Sequence, residues 1–259
     1  MTEKSPTVRK PSIALVQGAS RGIGLALVEA ILHDTENARV IATCRNPDAS
    51  VELQSVAKRV GARLVIKRLD VTEEESIESV ARYVAEDKSA IDLLINATGI
   101  LHDQAGLAPE KRLQDVSFDN LEKYFRINAV GPLMVAKHFV SLMKKQERAV
   151  FASISARVGS IEDNRLGGWY GYRASKAAQN MFTRTLSIEL ARTNPEMICV
   201  GLHPGTVATG LSKPFSSRVD PARLFSPRDA AEKLLAVIRD LKPSDTGKVF
   251  AYDGSVVPW

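Results

Sequence analysis

Two tyrosines, an arginine and a lysine lie within the seven residues YGYRASK, residues 170–176. A phenol has an ordinary pKa of about 10, so it exchanges protons efficiently near neutral pH only when a nearby cation stabilises the phenolate. Lys176 follows Tyr172 by four residues, which places both side chains on one face of a helix. Tyr170 is six residues from the lysine and precedes or begins that helix. The spacing therefore predicts Tyr172 and Lys176 as an acid–base pair.

A second chemical signal is a glycine-rich stretch between an apolar run and an amphipathic one. Glycines let the chain turn sharply, and a helix N-terminus offers unpaired N–H groups and a positive dipole end. A turn that only needs positive φ would look the same, but at the end of a first parallel strand the stretch favours a nucleotide. The residues that we expect at its pyrophosphate are Gly18, Ser20, Arg21, Gly22, Ile23 and Gly24.

The elements that must position these groups alternate along the chain. Seven apolar runs have the character of strands: PSIALVQGAS, which ends in a glycine turn, ARVIATC, ARLVIKRLDV, IDLLINATG, RAVFASIS, PEMICVGLHPG and GKVFAYDG. Amphipathic helices are predicted between them, including long ones over residues 118–145 and 171–192. This alternation indicates a parallel sheet covered on both faces. We predict an α/β fold: one Rossmann-type domain over residues 12–259, a doubly wound parallel sheet of about seven strands, with residues 1–11 as a loose tail.

Composition narrows the classes of function. The net charge is +5, but Lys and Arg are scattered among 30 acidic residues, so no nucleic-acid partner is expected. No apolar run approaches the roughly 18 residues that span a bilayer, and the opening MTEKSPTVRKPS has no signal-type apolar segment. Cys44 and Cys199 lie far apart inside apolar runs, which favours the cytoplasm. The four histidines form no cluster, so no metal is expected.

The GxxxGxG spacing of the glycine stretch resembles the short-chain dehydrogenase/reductase family, and the resemblance runs from Ser12 to about Asp253. Its marks occur in order: GASRGIG at 18–24, Asp70, INATG at 95–99, Asn128, a serine near 155, YRASK at 172–176 and PGTVAT at 204–209. The chain departs from the family pattern in two places. It has Asn96-Ala97-Thr98-Gly99 where the family usually has Asn-Asn-Ala-Gly, which removes one amide but keeps the first asparagine and the glycine, and Gln17 stands where a threonine is common before the first glycine.

The resemblance implies roles for further residues. Asp70 and Val71 would lie at the adenine, Asn96 would steady the central sheet, and Lys176 would bind the nicotinamide ribose. Asn128 would hold a water in the proton relay. The remaining positions expected at the dinucleotide are Ala97, Thr98, Tyr172, Pro204, Gly205, Val207 and Thr209.

The choice of dinucleotide depends on the end of the second strand, Thr43-Cys44-Arg45. An acid there would bind the 2′-hydroxyl of NAD, whereas an arginine accepts the 2′-phosphate of NADP. The strand end has no acid, and Arg45 together with Arg21 makes a phosphate clamp possible. We therefore expect NADP(H).

The catalytic serine is harder to assign, because Ser153 and Ser155 both end the fifth strand and share a face. In the family, this serine stands at the carboxyl end of the strand and orients the substrate oxygen, which favours Ser155. The family's glycine usually follows three residues later, yet Gly159 is four residues after Ser155. Counting back three would select Ala156. We choose Ser155 over Ser153.

Together these features predict an NADPH-dependent carbonyl reductase acting on a small-molecule ketone or aldehyde. Tyr172 is the acid, Lys176 lowers its pKa, Ser155 polarises the oxygen and Asn128 completes the relay. The alternative is a dinucleotide-binding signalling protein whose catalysis is incidental, since SARVGSI and DGSVVPW resemble the branch of sniffer-type reductases and C-factor proteins. A homodimer or homotetramer is expected from the family, with a monomer left open.

Overall fold

The computed structural model describes residues 11–88, 90–218 and 220–259. The predicted N-terminal tail, residues 1–11, therefore lies outside the described residues except for Pro11. Within the described ranges no helix is both long and apolar enough to cross a membrane.

Seven strands form one parallel sheet in the order β3-β2-β1-β4-β5-β6-β9. Their bounds are β1 Ile13–Gln17, β2 Arg39–Cys44, β3 Leu64–Arg68, β4 Leu93–Asn96, β5 Ala149–Ile154, β6 Met197–His203 and, last in the sheet, β9 Val249–Ala251. The chain reverses its direction of winding between β1 and β4, which is where open α/β sheets bind ligands. The predicted fold class is confirmed.

Helices cover both faces of this sheet. They are α1 Gly22–Asp34, α2 Val51–Val60, α3 Glu74–Glu86, α4 Phe118–Phe125, α5 Gly131–Phe139, α6 Tyr170–Leu190 and α7 Pro227–Asp240. One buried apolar cluster joins the sheet to α1, α2 and α7, and the other joins it to α3, α5 and α6. Both cysteines are buried in strands, as predicted.

The helix predicted over residues 118–145 is interrupted. Between α4 and α5 the chain makes a π-helical turn at Arg126–Val130. Pro132 follows at once and cannot donate a backbone hydrogen bond, and a Cβ on Gly131 would lie 2.8 Å from Cβ of Val71. Close packing against the segment after β3 thus fixes this turn, which contains Asn128.

Two features lie between β6 and α7. Ser226 caps α7 and forms a reciprocal capping box with Asp229, as is typical of the sequence Ser226-Pro227-Arg228-Asp229. A short parallel pair, β7 Thr206–Val207 with β8 Leu224–Phe225, is not predictable from the sequence. Strands of two residues carry no periodicity, so only their pairing defines them. This small sheet holds the loop after β6 above the carboxyl edge of the main sheet.

Candidate active site

The glycine stretch forms a tight turn between β1 and α1. Gly18 and Gly22 have φ of 85° and 59°, a left-handed region that favours glycine. A Cβ on Gly24 would lie 2.2 Å from the carbonyl oxygen of Gly18, so only glycine allows α1 to approach the turn this closely. Among the described residues no side chain caps α1, and its first turn contains no acid. These features fit the pyrophosphate of a dinucleotide.

Gln17 and Thr98, which both depart from the family pattern, contact each other. The side-chain amide of Gln17 donates a 2.6 Å hydrogen bond to the hydroxyl of Thr98. This bond links the last residue of β1 to the segment after β4, directly under the turn at Gly18. Neither substitution could be paired with the other from the sequence, because 81 positions separate them.

A groove with a volume of about 1870 Å³ runs along the carboxyl edge of the sheet. Ordinary ligand pockets measure roughly 300–1,000 Å³, so this one has room for a dinucleotide and a small substrate together. Of the residues expected at the dinucleotide, the groove is lined by Gly18, Ser20, Arg21, Gly22, Ile23, Gly24, Arg45, Asp70, Val71, Ala97, Thr98, Tyr172, Lys176, Pro204, Gly205, Val207 and Thr209. Asn96 lies below it, fully buried, and its amide donates to Ser153 in β5.

The two arginines of the expected phosphate clamp line this groove. Arg21 directly precedes α1 and Arg45 directly follows β2; both are exposed. Within the part of the chain that the structure describes, neither guanidinium has an ion-pair partner. Their forked donors are therefore available to an anion at this end of the groove.

Tyr172 is buried at the other end of the groove, in the first turn of α6. Trp169 and Tyr124 pack against its ring, with centroids 6.1 and 6.2 Å away. Burial raises the pKa of Tyr172 to about 12. The sequence predicts a lowered pKa, but the phenol sits among apolar neighbours, and desolvation disfavours the phenolate.

Lys176 does lie one helical turn after Tyr172, and it is buried as well. Its ammonium donates to the carbonyl of Ile154, at 2.7 Å, and to the side-chain oxygen of Gln179, at 2.9 Å. Burial lowers the pKa of Lys176 to about 7. The ammonium is thus held by the end of β5 and by a side chain of α6 itself. Nothing in the sequence singles out Gln179.

Asn128 connects three parts of the site. Its side-chain oxygen accepts from the backbone N–H of Ile100, and its amide donates to the carbonyl of Ile100 and to the hydroxyl of Ser175. Ser175 in turn donates to the carbonyl of Tyr172. These side-chain bonds tie the π-helical turn to the segment after β4 and to α6. The water-holding role expected for Asn128 stays a prediction.

Of the two candidate serines, Ser155 lines the groove and Ser153 does not. The hydroxyl of Ser155 donates to the side-chain oxygen of Asn180, at 2.6 Å, inside the interface with α6. Ser153 bonds Asn96 across the sheet. A hydroxyl has one proton, and in this arrangement Ser155 gives it to α6; the role of Ser155 in polarising a substrate oxygen stays a prediction. The α6 side chain that engages it could not be read from strand alternation.

A buried acid anchors the start of α6. The carboxylate of Glu110, 2% exposed, accepts from the backbone N–H of Gly171, and its carbonyl accepts from the N–H of Trp169. Trp169 has a left-handed φ of 54° and follows two glycines of the same kind. A negative group at a helix N-terminus is stabilising. Glu110 lies in an irregular segment of the sequence beside Lys111 and Arg112, where nothing distinguishes it from a solvated surface acid.

Apolar and aromatic side chains surround Tyr172. They are Ile100, Leu101, Leu107, Tyr124, Ala156, Val158, Trp169, Leu211 and Phe215. Of these, Trp169, Leu211 and Phe215 also line the groove. Tyr170 is 42% exposed and lies outside the groove, so it is not a pocket residue.

Burial lowers the pKa of His203 to about 4, which keeps its imidazole neutral.

The model of the short chain dehydrogenase family matches residues 12–220, which is most of the chain. The chain belongs to the short-chain dehydrogenase family. This short-chain dehydrogenase is 30% identical to an NADPH-bound carbonyl reductase from chicken fatty liver. The TM-score is 0.84, and the match covers 96% of this chain and 94% of the other.

Two further relatives of this short-chain dehydrogenase represent the branch that its sequence resembles. The carbonyl reductase Sniffer of D. melanogaster is 26% identical, with a TM-score of 0.83 over 97% of this chain and all of that one. The C-signal of Myxococcus xanthus is 36% identical over 170 residues, which are 65% of this chain and 93% of the relative. The short-chain dehydrogenase therefore combines the fold of carbonyl reductases with similarity to a signalling protein.

Proposed function

We propose that this chain is an NADPH-dependent carbonyl reductase that acts on a small-molecule ketone or aldehyde. The observation that carries the proposal is the continuous groove that joins the N-terminus of α1 to Tyr172 and its aromatic neighbours. The similarity to the chicken and fly carbonyl reductases supports the reaction class.

A bound nicotinamide dinucleotide supplies the hydride in this proposal. Tyr172 gives its phenol proton to the substrate oxygen as negative charge develops there, and the ammonium of Lys176, one helical turn away, stabilises the phenolate. Asn128 positions α6 against the segment after β4 through its bonds to Ile100 and Ser175. The aromatic neighbours exclude water, which strengthens each electrostatic interaction.

The preference for NADPH rests on the two groove arginines. Arg21 and Arg45 lie beside the end of β2, whose sequence contains no acid to repel a 2′-phosphate. Arg45→Ala should weaken NADPH binding about tenfold or more, because it removes a charge-assisted hydrogen bond, and should leave NADH binding nearly unchanged. Fluorescence titration of both nucleotides measures this, with Arg192→Ala, an exposed arginine away from the groove, as the matched control. An equal loss for both nucleotides would contradict the clamp.

The reaction is tested with a tyrosine pair. Oxidation of NADPH is followed with aldehydes, diketones and quinones. Tyr172→Phe should lower kcat by about 10²–10⁴-fold, the usual contribution of a general acid, and leave the affinity for NADPH nearly intact. Tyr170→Phe is the matched control, because Tyr170 is exposed and outside the groove. Equal losses in the two variants would mean that Tyr172 is not the acid.

A signalling role is the second candidate, favoured by the similarity to the C-signal of Myxococcus xanthus. In that case the chain binds NADPH and its catalysis is incidental. Tight NADPH binding by the wild type without turnover of any carbonyl compound would favour this candidate over the reductase.

Location and assembly are part of the proposal. We place the protein in the cytoplasm because Cys44 and Cys199 are both free and buried. A homodimer or homotetramer stays a prediction, with a monomer as the alternative. Size-exclusion chromatography with light scattering distinguishes them.

A further inference from the structure

Two residues after the end of β5, Ala156 presents a methyl group to the groove, where a hydroxyl is expected beside the substrate oxygen. Ala156 packs in the apolar cluster that contains Tyr172, Trp169 and Phe215. It also lines the groove. The side chain of residue 156 therefore faces the position that a substrate carbonyl would occupy beside Tyr172.

The register of this segment is fixed by Gly159. A Cβ at Gly159 would lie 2.8 Å from Cβ of Lys176, so the chain passes directly over the catalytic turn of α6 at this point. No larger residue fits there without a shift. Three residues earlier, the backbone of Ala156 is extended, with φ −149° and ψ 146°. Ser155 and Ala156 both line the groove, but Ala156 packs with the apolar cluster around Tyr172, whereas the hydroxyl of Ser155 donates to Asn180 in α6.

The hydroxyls of Ser153 and Ser155 do not replace the missing hydrogen-bond donor. Ser155 is 3% exposed and donates its proton to Asn180, while Ser153 is 1% exposed, accepts from the side-chain amide of Asn96 and does not line the groove. Rotating Ser155 toward the groove would leave the side-chain oxygen of Asn180 without this buried bond, which is costly. The end of β5 therefore supplies no hydroxyl proton to a substrate oxygen.

A carbonyl reduced here would receive its proton from Tyr172 without a second hydroxyl from β5. Hydride adds to the carbonyl carbon, the C=O π pair moves onto the oxygen, and the phenol proton is transferred to that oxygen. The dihydronicotinamide is oxidised, the carbonyl becomes an alcohol, and solvent returns a proton to the phenolate. Removing one donor from a site of developing negative charge typically costs about 10²–10³ in kcat. The substrate itself must offset that loss.

We propose that Ala156 restricts this enzyme to electron-poor carbonyl compounds, whose own substituents stabilise the charge that develops on oxygen. The proposal rests on the reductase function proposed above and names its substrate class. Aromatic neighbours of Tyr172 add a preference for a flat, apolar group attached to the carbonyl.

The test uses aldehydes that differ in electronic character more than in shape: 4-nitrobenzaldehyde, benzaldehyde and 4-methoxybenzaldehyde. The wild type should reduce the nitro compound far faster than the methoxy compound. Ala156→Ser should raise kcat for 4-methoxybenzaldehyde by about 10–100-fold and for 4-nitrobenzaldehyde by less than about fivefold, because a second donor matters most where the substrate stabilises charge least. The affinity for NADPH should not change.

Ser155→Ala is the matched control, since it removes a hydroxyl one residue away. It should lower kcat for all three aldehydes by the same factor, less than about threefold, and lower Tm by about 2–4 °C through loss of the buried bond to Asn180. Adding Asn180→Ala to Ser155→Ala should then lower Tm by less than it does in the wild type. This thermal measurement needs no substrate and no NADPH.

Three outcomes overturn the inference. The first is a selective loss in Ser155→Ala of about 10²-fold, the effect expected if its hydroxyl were the second donor. The second is an Ala156→Ser variant with the same dependence on the aldehyde substituent as the wild type. The third is additive Tm changes for Ser155→Ala and Asn180→Ala. If neither the wild type nor Ala156→Ser oxidises NADPH with any aldehyde, the proposed function itself fails, and the substrate class fails with it.

Discussion

The two halves of the groove are built in different ways. At the glycine turn between β1 and α1, backbone atoms are in such close contact that only glycine fits, as at Gly24. Around Tyr172, by contrast, side chains determine the site, and several differ from expectation: Ser155 bonds Asn180 and Lys176 bonds Gln179. Steric limits on the backbone leave a recognisable spacing in the sequence. Side-chain pairing between distant elements leaves no such spacing, so the arrangement around Tyr172 is not predictable from the sequence.

Substitution of Gly24 should have the largest effect, because backbone contact determines the glycine-turn half of the groove. Gly24→Ala places a Cβ 2.2 Å from a backbone oxygen of the turn, so α1 must move away from it. We expect a loss of about 1–3 kcal/mol or more in the free energy of unfolding, and loss of most NADPH binding. Gly210→Ala is the control for stability, since nothing lies within 4 Å of its added Cβ. Urea unfolding and fluorescence titration measure both quantities. Normal NADPH binding by Gly24→Ala would mean that the turn is not limited by backbone contact.

In the half of the groove around Tyr172, the buried Lys176 should make the free energy of unfolding depend on pH. Burial lowers the pKa of Lys176 from its usual 10.5 to about 7, so between these values the unfolded chain binds a proton that the folded chain has released. Stability should therefore rise with pH from about 7 toward 10 and stay flat below 7, where both states hold the proton. Lys176→Met removes this dependence, and it should be more stable than the wild type near pH 7 but nearly inactive.

Urea unfolding without nucleotide, between pH 6 and 9.5, measures that dependence. Within this range the phenol of Tyr172, with a pKa raised to about 12, stays protonated when folded. Lys58→Met, at an exposed lysine of α2, is the control and should keep the wild-type slope. Parallel profiles for the wild type and Lys176→Met would contradict the buried, weakly basic lysine.

Substitution of Glu110, also in the half of the groove around Tyr172, should have a smaller effect on stability and activity. Glu110→Ala leaves the N–H of Gly171 unpaired inside the protein and should cost about 1–3 kcal/mol of unfolding free energy. It should also lower kcat more than it raises KM, because α6 carries Tyr172 and Lys176. Glu110→Gln keeps an acceptor and should recover much of both losses, whereas Glu122→Ala, an exposed acid on α4, should have little effect. A structural role alone would change stability and leave kcat unaltered.

Periodicity and backbone limits made part of this structure predictable from the sequence. They located the seven strands, the glycine turn, the capping box at Ser226 and the helical face shared by Tyr172 and Lys176. They did not predict the π-helical turn around Asn128, which depends on contact between Gly131 and Val71. Nor could they assign the β5 hydroxyls, because Asn180 is 25 positions from Ser155 and nothing local marks their bond.

The smallest expected effect lies where the two kinds of construction meet, at Gln17 and Thr98. Their side-chain bond, 2.6 Å long, joins β1 to the segment after β4 beneath the glycine turn. A double-mutant cycle of Gln17→Leu and Thr98→Val, read by urea unfolding, should give a coupling energy of about 1 kcal/mol, the usual net worth of a hydrogen bond. The same variants should weaken NADPH binding only slightly, because the turn is held by its backbone contacts and not by this bond. A coupling energy of zero would mean that Gln17 and Thr98 contribute to stability independently of each other. A large loss of NADPH binding in either variant would show that side chains, and not only backbone contacts, determine the glycine-turn half of the groove.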